Sequence, residues 1–247
     1  MQRTPRLAAR TFVWLVIASG LVIAVAAGAP FRDPRLWFWI LACGVGETLW
    51  LRLPVGRATM SMGSTANFAA LLVLPLPVAI PAATLASLAV ELAVMRKPPI
   101  RALFNAAGTA ITVAASGLVL RELAPAGPFA LRDAWLLLAL TGAAVAYYAC
   151  NRALVSAVLS LDGALPLPHV WQKNFGWRRD ALPSGAALSL GVLLAYLHQQ
   201  VGGVAIAFVL LPALLVFEAH RRVYRMPAGE PGAEPPAEEP SARAVNE

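Results

Sequence analysis

The sequence predicts an all-α protein, a polytopic transmembrane helix bundle, on the strength of three observations. Hydrophobic residues make up 59% of the 247 residues and charged residues only 13%, whereas soluble domains are about 45–50% apolar and about 25% charged. Apolar runs of about 20 residues recur, the length a helix needs to cross a hydrocarbon core of about 30 Å. Basic residues cluster between these runs, where they orient a membrane protein.

Eight hydrophobic segments are predicted, at residues 11–30, 36–53, 62–76, 78–95, 100–121, 134–161, 183–200 and 203–220. We interpret the first as a retained span rather than a cleaved signal peptide, because it is long and further spans follow. The third begins with the polar "MGSTAN" and ends in "LPLP", so we expect a short or re-entrant helix there. Residues 161–180 contain Trp171 and Trp177 and are expected to lie at the membrane interface.

We predict one transmembrane helical domain over residues 1–225 and a disordered tail over residues 226–247. The tail is rich in proline and glutamate and has no aromatic residue, so it cannot bury enough apolar surface to fold.

Charge placement predicts the orientation of the bundle. Fourteen basic residues fall on one side of the eight-segment arrangement and four on the other, which places both termini in the cytoplasm of an inner (plasma) membrane protein. A six-span arrangement keeps the same ends. The net charge of +7 therefore serves orientation, and we expect the lipid bilayer rather than nucleic acid as partner.

Polar side chains inside the predicted spans suggest a site. They are Glu47, Asn67, Glu91, Asn105, Asn151, Arg152 and His198, and such residues are costly in a bilayer and mark functional sites by default. Counting 1.5 Å per residue places Glu47, Asn67, Glu91, Asn105 and Arg152 roughly 6–14 Å from the cytoplasmic boundary.

Two interpretations of this polar layer are compatible with the sequence. In one, Glu47 or Glu91 pairs with Arg152 and the layer only holds the bundle together. In the other, the layer lines a pocket that binds a ligand. Two acids for one arginine leave one acid formally unpaired, which keeps the second interpretation open.

Rows of small residues predict close helix packing. They are Ala106, Ala110 and Ala114, beside them Gly108, Thr112 and Ser116, and elsewhere Ala79, Ala83 and Ser87 and the pair Ala139 and Ala143.

Nothing in the sequence indicates an enzyme, a cofactor or a metal site. There is no phosphate-binding loop, HExxH, CxxC or dinucleotide fingerprint. Cys43 and Cys150 lie within predicted spans and are interpreted as small apolar residues. Ser184 and His198 share one span and lie about 20 Å apart by helical rise, too far for a catalytic pair.

Residues 46–120 suggest a family. The stretch combines a helix bearing Glu47, a short "STANFAALLVLP" segment and a helix that opens with "FNAA". It resembles the vitamin-uptake-like or MASE-type membrane sensor regions that precede HD-type phosphohydrolase or diguanylate cyclase domains in bacterial signalling proteins. The likeness covers about a third of the chain.

The resemblance implies a bundle similar to the substrate-binding subunits of vitamin transporters, used for sensing. The positions carried over are Glu47, Ser64, Phe68, Phe104 and Asn105. Because the last segment is followed by the acidic tail instead of an output domain, we expect any signal to pass to a separate cytoplasmic or membrane protein.

The sequence therefore favours a sensor-like or small-molecule-binding membrane module without its own output domain. One alternative is the substrate-binding component of a vitamin-like uptake transporter, and another is a structural membrane subunit with no ligand. The candidate site residues are Glu47, Ser64, Asn67, Glu91, Phe104, Asn105 and Arg152.

Overall fold

The computed structural model describes residues 3–28, 30–52, 59–125, 133–175, 180–207 and 211–212. Over these ranges the chain is helical apart from turns and one two-stranded hairpin. The elements are α1 (Arg3–Ala27), α2 (Pro34–Thr48), β1 (Trp50–Arg52), β2 (Thr59–Ser61), α3 (Gly63–Val73), α4 (Leu76–Ala89), a π-helical turn (Val90–Val94), α5 (Pro99–Leu123), α6 (Asp133–Gly163), α7 (Leu167–Asn174) and α8 (Leu182–Val201).

The all-α prediction is confirmed, and the first seven predicted segments each coincide with a helix. The short helix α7 lies within residues 161–180, the stretch expected at the interface. Most of the eighth segment lies outside the described residues, as does the whole of the predicted tail. Proline in the first turn, where its missing N–H costs nothing, marks the start of α2, α4, α5, α7 and α8.

Among the described residues, four helices are long and apolar enough to cross a membrane. They are Leu7–Ala27, Leu76–Val94, Pro99–Leu123 and Ala134–Gly163. The third predicted segment forms the short helix α3, with 11 residues. Nine of these are buried, because α3 is apolar around most of its circumference and is enclosed by other helices. These helices are compatible with a membrane location.

The second segment is shorter than predicted. Helix α2 ends at Thr48 instead of residue 53, and Leu49 turns the backbone into an extended conformation. Strands β1 and β2 then pair antiparallel, with Trp50 opposite Ser61, and the Met62 N–H donates to the Leu49 carbonyl. The chain therefore reverses at the end of the bundle and returns directly as α3.

The predicted small-residue rows lie at helix contacts. In α5, Ala106, Ala110 and Ala114 are buried, and so are Thr112 and Ser116 of the neighbouring row. The rows of α4 and α6 are buried as well. Helix α5 packs against α1, α4 and α6, so its small side chains let three helices approach one backbone.

Two buried hydroxyl groups connect helices through hydrogen bonds. The Thr65 hydroxyl of α3 donates to the Ala187 carbonyl of α8 at 2.9 Å, and the Ser116 hydroxyl of α5 donates to the Ala143 carbonyl of α6 at 2.7 Å.

Ser116→Ala is expected to lower the free energy of unfolding by about 0.6 kcal/mol, and by no more than about 1.7 kcal/mol, the range found for interhelical hydrogen bonds in membranes. The measurement is thermal unfolding of the full chain in detergent. Ser189 of α8 is exposed, so Ser189→Ala is the matched control and leaves the midpoint unchanged. Equal midpoints for both variants would contradict a stabilising role for the Ser116 bond.

Candidate functional site

One end of the bundle gathers the candidate residues. Helices α2 and α4 finish at this end, and α3, α5 and α8 begin there. Glu47 lies in the last turn of α2, Asn67 near the start of α3, and Asn105 in the second turn of α5. Arg152 extends from α6 to the start of α8. Because antiparallel neighbours reverse at this end, residues remote in sequence lie at one level.

These residues line one cavity, which we call the polar cavity and which has a volume of about 310 Å³. All seven candidate site residues, Glu47, Ser64, Asn67, Glu91, Phe104, Asn105 and Arg152, contribute to its lining. The other lining residues are Ser87, Lys97, Gly108, Thr109, Thr112, Tyr147, Asn151, Leu154 and Val155. The structure thus brings the candidates together, and their role in binding a ligand stays a prediction.

A π-helical turn supplies one wall. After α4 the backbone widens over Val90–Val94, and the Met95 N–H donates to the Val90 carbonyl at 2.9 Å. Arg96, with φ of 51°, ends the turn, and the next residue, Lys97, returns toward Glu91. Such turns are rare and frequently occur at functional sites. Here the turn holds Glu91 at the cavity, where its side chain is buried.

The ion pairs at this end differ from the expected ones. The Lys97 Nζ lies 2.7 Å from Glu91 Oε1. Arg152 binds Asp180 through two hydrogen bonds of 2.7 Å, from Nε and from a terminal guanidinium nitrogen. The pairing of Glu47 or Glu91 with Arg152, which one of the two interpretations of the polar layer contained, is therefore wrong. The physical reason is that Lys97 and Asp180, which lie outside the predicted spans, are close enough to bind Glu91 and Arg152.

Aromatic rings hold the Arg152 guanidinium in place. Its central carbon lies 5.6 Å from the Tyr148 ring centroid and 5.4 Å from that of Phe175, within the range of cation–π attraction. The Ser184 hydroxyl is a further neighbour at 3.1 Å. Arg152 thus fixes Asp180 and the start of α8 against α6.

The side chain of Glu47, at the end of α2, contacts Gly63, the first residue of α3. Its carboxyl group is so close to Gly63 that a Cβ at this position would overlap it. The Asn67 amide donates to Glu47 Oε1 at 3.3 Å. A carboxylate is favoured at a helix N-terminus by the helix dipole, so α2 and α3 are joined electrostatically at the wall of the cavity.

Three buried polar atoms of the lining have no hydrogen-bond partner in the part of the chain that the structure describes. They are Asn67 Oδ1, Glu91 Oε2 and Thr112 Oγ1, in residues that are 2%, 8% and 0% exposed as a whole. Buried polar atoms are nearly always paired in native proteins, and an unpaired one costs about 1–3 kcal/mol. The polar cavity therefore has unused hydrogen-bonding capacity.

Sequence reasoning missed some lining residues. Tyr147 precedes Asn151 by four residues and Arg152 by five, so helical periodicity alone places it on the same face. Its hydroxyl interacts with the side chains of Asn67 and Ser64. Thr112 was assigned only to a packing row, although it lies two turns beyond Asn105 on the face that lines the cavity.

Two residues that the sequence analysis singled out, Phe68 and His198, do not line the polar cavity. Phe68, which the resemblance carries over, is in the apolar core and packs edge to face on Tyr147, with ring centroids 5.8 Å apart. His198 lies near the opposite end of α8, 5.2 Å from the ring centroid of Trp39.

The chain matches no protein-family model, no curated protein and no solved structure. The likeness of residues 46–120 to MASE-type sensor regions therefore stays a resemblance.

Proposed function

We propose that this protein is an integral membrane module that binds a small molecule in the polar cavity and reports its presence to a protein partner. The observation that carries the proposal is the convergence of polar side chains from α2, α3, the π-helical turn, α5 and α6 on one cavity. Polar side chains within membrane-spanning helices are costly in a bilayer and are kept where they serve a site.

The composition of the cavity supports a binding role. Its volume of about 310 Å³ lies at the lower end of the range for small-molecule pockets. Phe104, Leu154 and Val155 give it apolar wall, and the polar groups converge between them. A few placed polar groups within an apolar wall are typical of small-molecule sites. We therefore propose binding without catalysis.

The position of the cavity supports sensing over uptake. Arg96, Lys97 and Arg101 lie at the same end of the bundle, and an excess of basic residues marks the cytoplasmic side. We accordingly propose eight membrane segments, with α3 short or re-entrant and both termini cytoplasmic. A cavity near the cytoplasm suits a protein that reports on a cytoplasmic ligand, whereas an uptake component needs a site at the opposite end.

A ligand in the cavity would couple several helices. The ligand would contact both Glu47 at the end of α2 and Arg152 of α6. Arg152 in turn binds Ser184 at the start of α8. A ligand that prefers one arrangement of these helices shifts their equilibrium toward it. The resemblance to MASE-type sensor regions supports the same proposal, with a separate protein as the receiver of the signal.

Occluding the cavity is expected to abolish ligand binding. Gly108 lines the cavity, and a Cβ there would only touch Leu154 at 3.7 Å, so Gly108→Leu fills the space while α5 stays intact. The full chain in nanodiscs is mixed with the small-molecule fraction of the expressing cells, and its thermal unfolding is followed. A ligand at 100 times its Kd stabilises the wild type by about 2.7 kcal/mol.

Gly185→Leu is the matched control, because no atom of another described element lies within 4 Å of a Cβ at that position. The wild type and the control are expected to be stabilised by the extract, and Gly108→Leu is expected to show no change. Equal stabilisation of all three proteins, or of none, would contradict the proposal.

A further inference from the structure

We propose that the ligand of the polar cavity is a small organic cation that carries N–H donors, with an amidinium or aminoheterocyclic group as the type. This inference rests on the proposed function, since it specifies the chemistry of the molecule that the cavity binds.

The three buried unpaired atoms of the described lining can all accept a hydrogen bond. Asn67 Oδ1 and Glu91 Oε2 are acceptors, and Thr112 Oγ1 can accept while it donates. A ligand that relieves all three must bring hydrogen-bond donors. A ligand that carries only acceptors would leave Asn67 Oδ1 and Glu91 Oε2 without a hydrogen bond.

The charges of the lining favour a cation. Within the described part of the lining, both cationic side chains are already bound to carboxylates, Lys97 to Glu91 and Arg152 to Asp180. An anionic ligand would have to displace one of these carboxylates. Glu91 offers its second oxygen without breaking the pair with Lys97, and a charge-assisted bond from a cationic N–H is about twice as strong as a neutral one.

The arrangement of the acceptors favours a group with several N–H directions. They come from three different elements of the lining, α3, the π-helical turn and α5. Thr112 is seven residues beyond Asn105 on α5, which places it about 10 Å deeper by helical rise. A planar amidinium on an apolar body can offer donors in different directions, while a quaternary ammonium has none.

Three probes of nearly equal shape test the proposal. Benzamidine is a cation with N–H donors, benzamide is its neutral counterpart, and benzoate is the anion. Their affinities for the full chain in nanodiscs are measured by calorimetric titration. We expect benzamidine to bind at least about tenfold more tightly than benzamide, which corresponds to about 1.4 kcal/mol, and benzoate to bind most weakly.

Two variants assign the effect to the acceptors. Glu91→Gln removes the charge, and Thr112→Val removes the hydroxyl at nearly constant shape. Each variant is expected to weaken benzamidine binding, and Glu91→Gln is expected to weaken it by about tenfold or more. Glu91→Gln is expected to have little effect on benzamide binding. The exposed Ser189→Ala is expected to bind all probes like the wild type, and Gly108→Leu to bind none.

The outcomes separate the ligand class from the function. Benzoate or benzamide binding as tightly as benzamidine, and lost in Gly108→Leu, would overturn the cationic ligand while the cavity remained a binding site. If no probe shows binding that is lost in Gly108→Leu, the cationic ligand class is also overturned. The proposed function is then tested by the extract experiment alone.

Discussion

Gly20→Ala is expected to separate α1 from α5 and to lower the free energy of unfolding by about 3 kcal/mol, the upper end of ordinary overpacking effects. A Cβ at Gly20 would lie 2.5 Å from the Cα and 2.8 Å from the carbonyl oxygen of Ala107. Carbon atoms in contact are about 3.5–4.0 Å apart. Since the neighbours are backbone atoms, no rotation of a side chain relieves the overlap and the helices must move. The measurement is the thermal unfolding midpoint of the full chain in detergent.

Gly185→Ala is the matched control and is expected to unfold like the wild type, because a Cβ there has no neighbour within 4 Å from the other elements that the structure describes. Adding Ala107→Gly to Gly20→Ala removes one of the crowded atoms and leaves the Cα and the carbonyl oxygen, so partial recovery is expected. A wild-type midpoint for Gly20→Ala would show that α1 does not pack on α5 at this residue.

Arg152→Ala is expected to destabilise the protein by about 2–3 kcal/mol. The carboxylate of Asp180 would lose both of its hydrogen bonds from the guanidinium and remain partly buried, with 16% of its side chain exposed. Removing one partner from a fully buried pair costs about 3–5 kcal/mol. We expect less here because the arginine and the aspartate both keep some exposure. Thermal unfolding of the full chain gives the value.

The double variant Arg152→Met with Asp180→Leu distinguishes a lost pair from lost packing. Apolar replacement of both partners in a buried pair is often neutral, so the double variant is expected to unfold near the wild type. If Arg152→Ala alone has the wild-type midpoint, the pair does not hold α8 to α6.

The helices were predictable from sequence because burial in a bilayer requires long apolar runs, and such runs are visible in composition alone. The end of α2 was not. Residues 49–52 are mostly apolar, like the helix before them, and their extended backbone depends on pairing with β2, a partner that lies several residues ahead. The π-helical turn was also missed, because one inserted residue leaves no mark in hydrophobic periodicity.

The site residues could also be predicted from the sequence only in part. Glu47, Asn67, Glu91, Asn105 and Arg152 could be identified because polar residues stand out within apolar segments, and helical rise places them at one depth. Their pairing could not be predicted, because Lys97 and Asp180 belong to connections whose path only the folded chain defines. Thr112 and Tyr147 were missed since small or aromatic side chains are common in helix contacts.

Native mass spectrometry of the full chain released gently from membranes tests most directly whether the polar cavity holds a small molecule. We expect a wild-type mass that exceeds the chain mass by one small molecule, an equal excess in Gly185→Leu, and the bare chain mass in Gly108→Leu. The bare chain mass for all three proteins, or the same excess in Gly108→Leu as in the wild type, would contradict binding in the polar cavity.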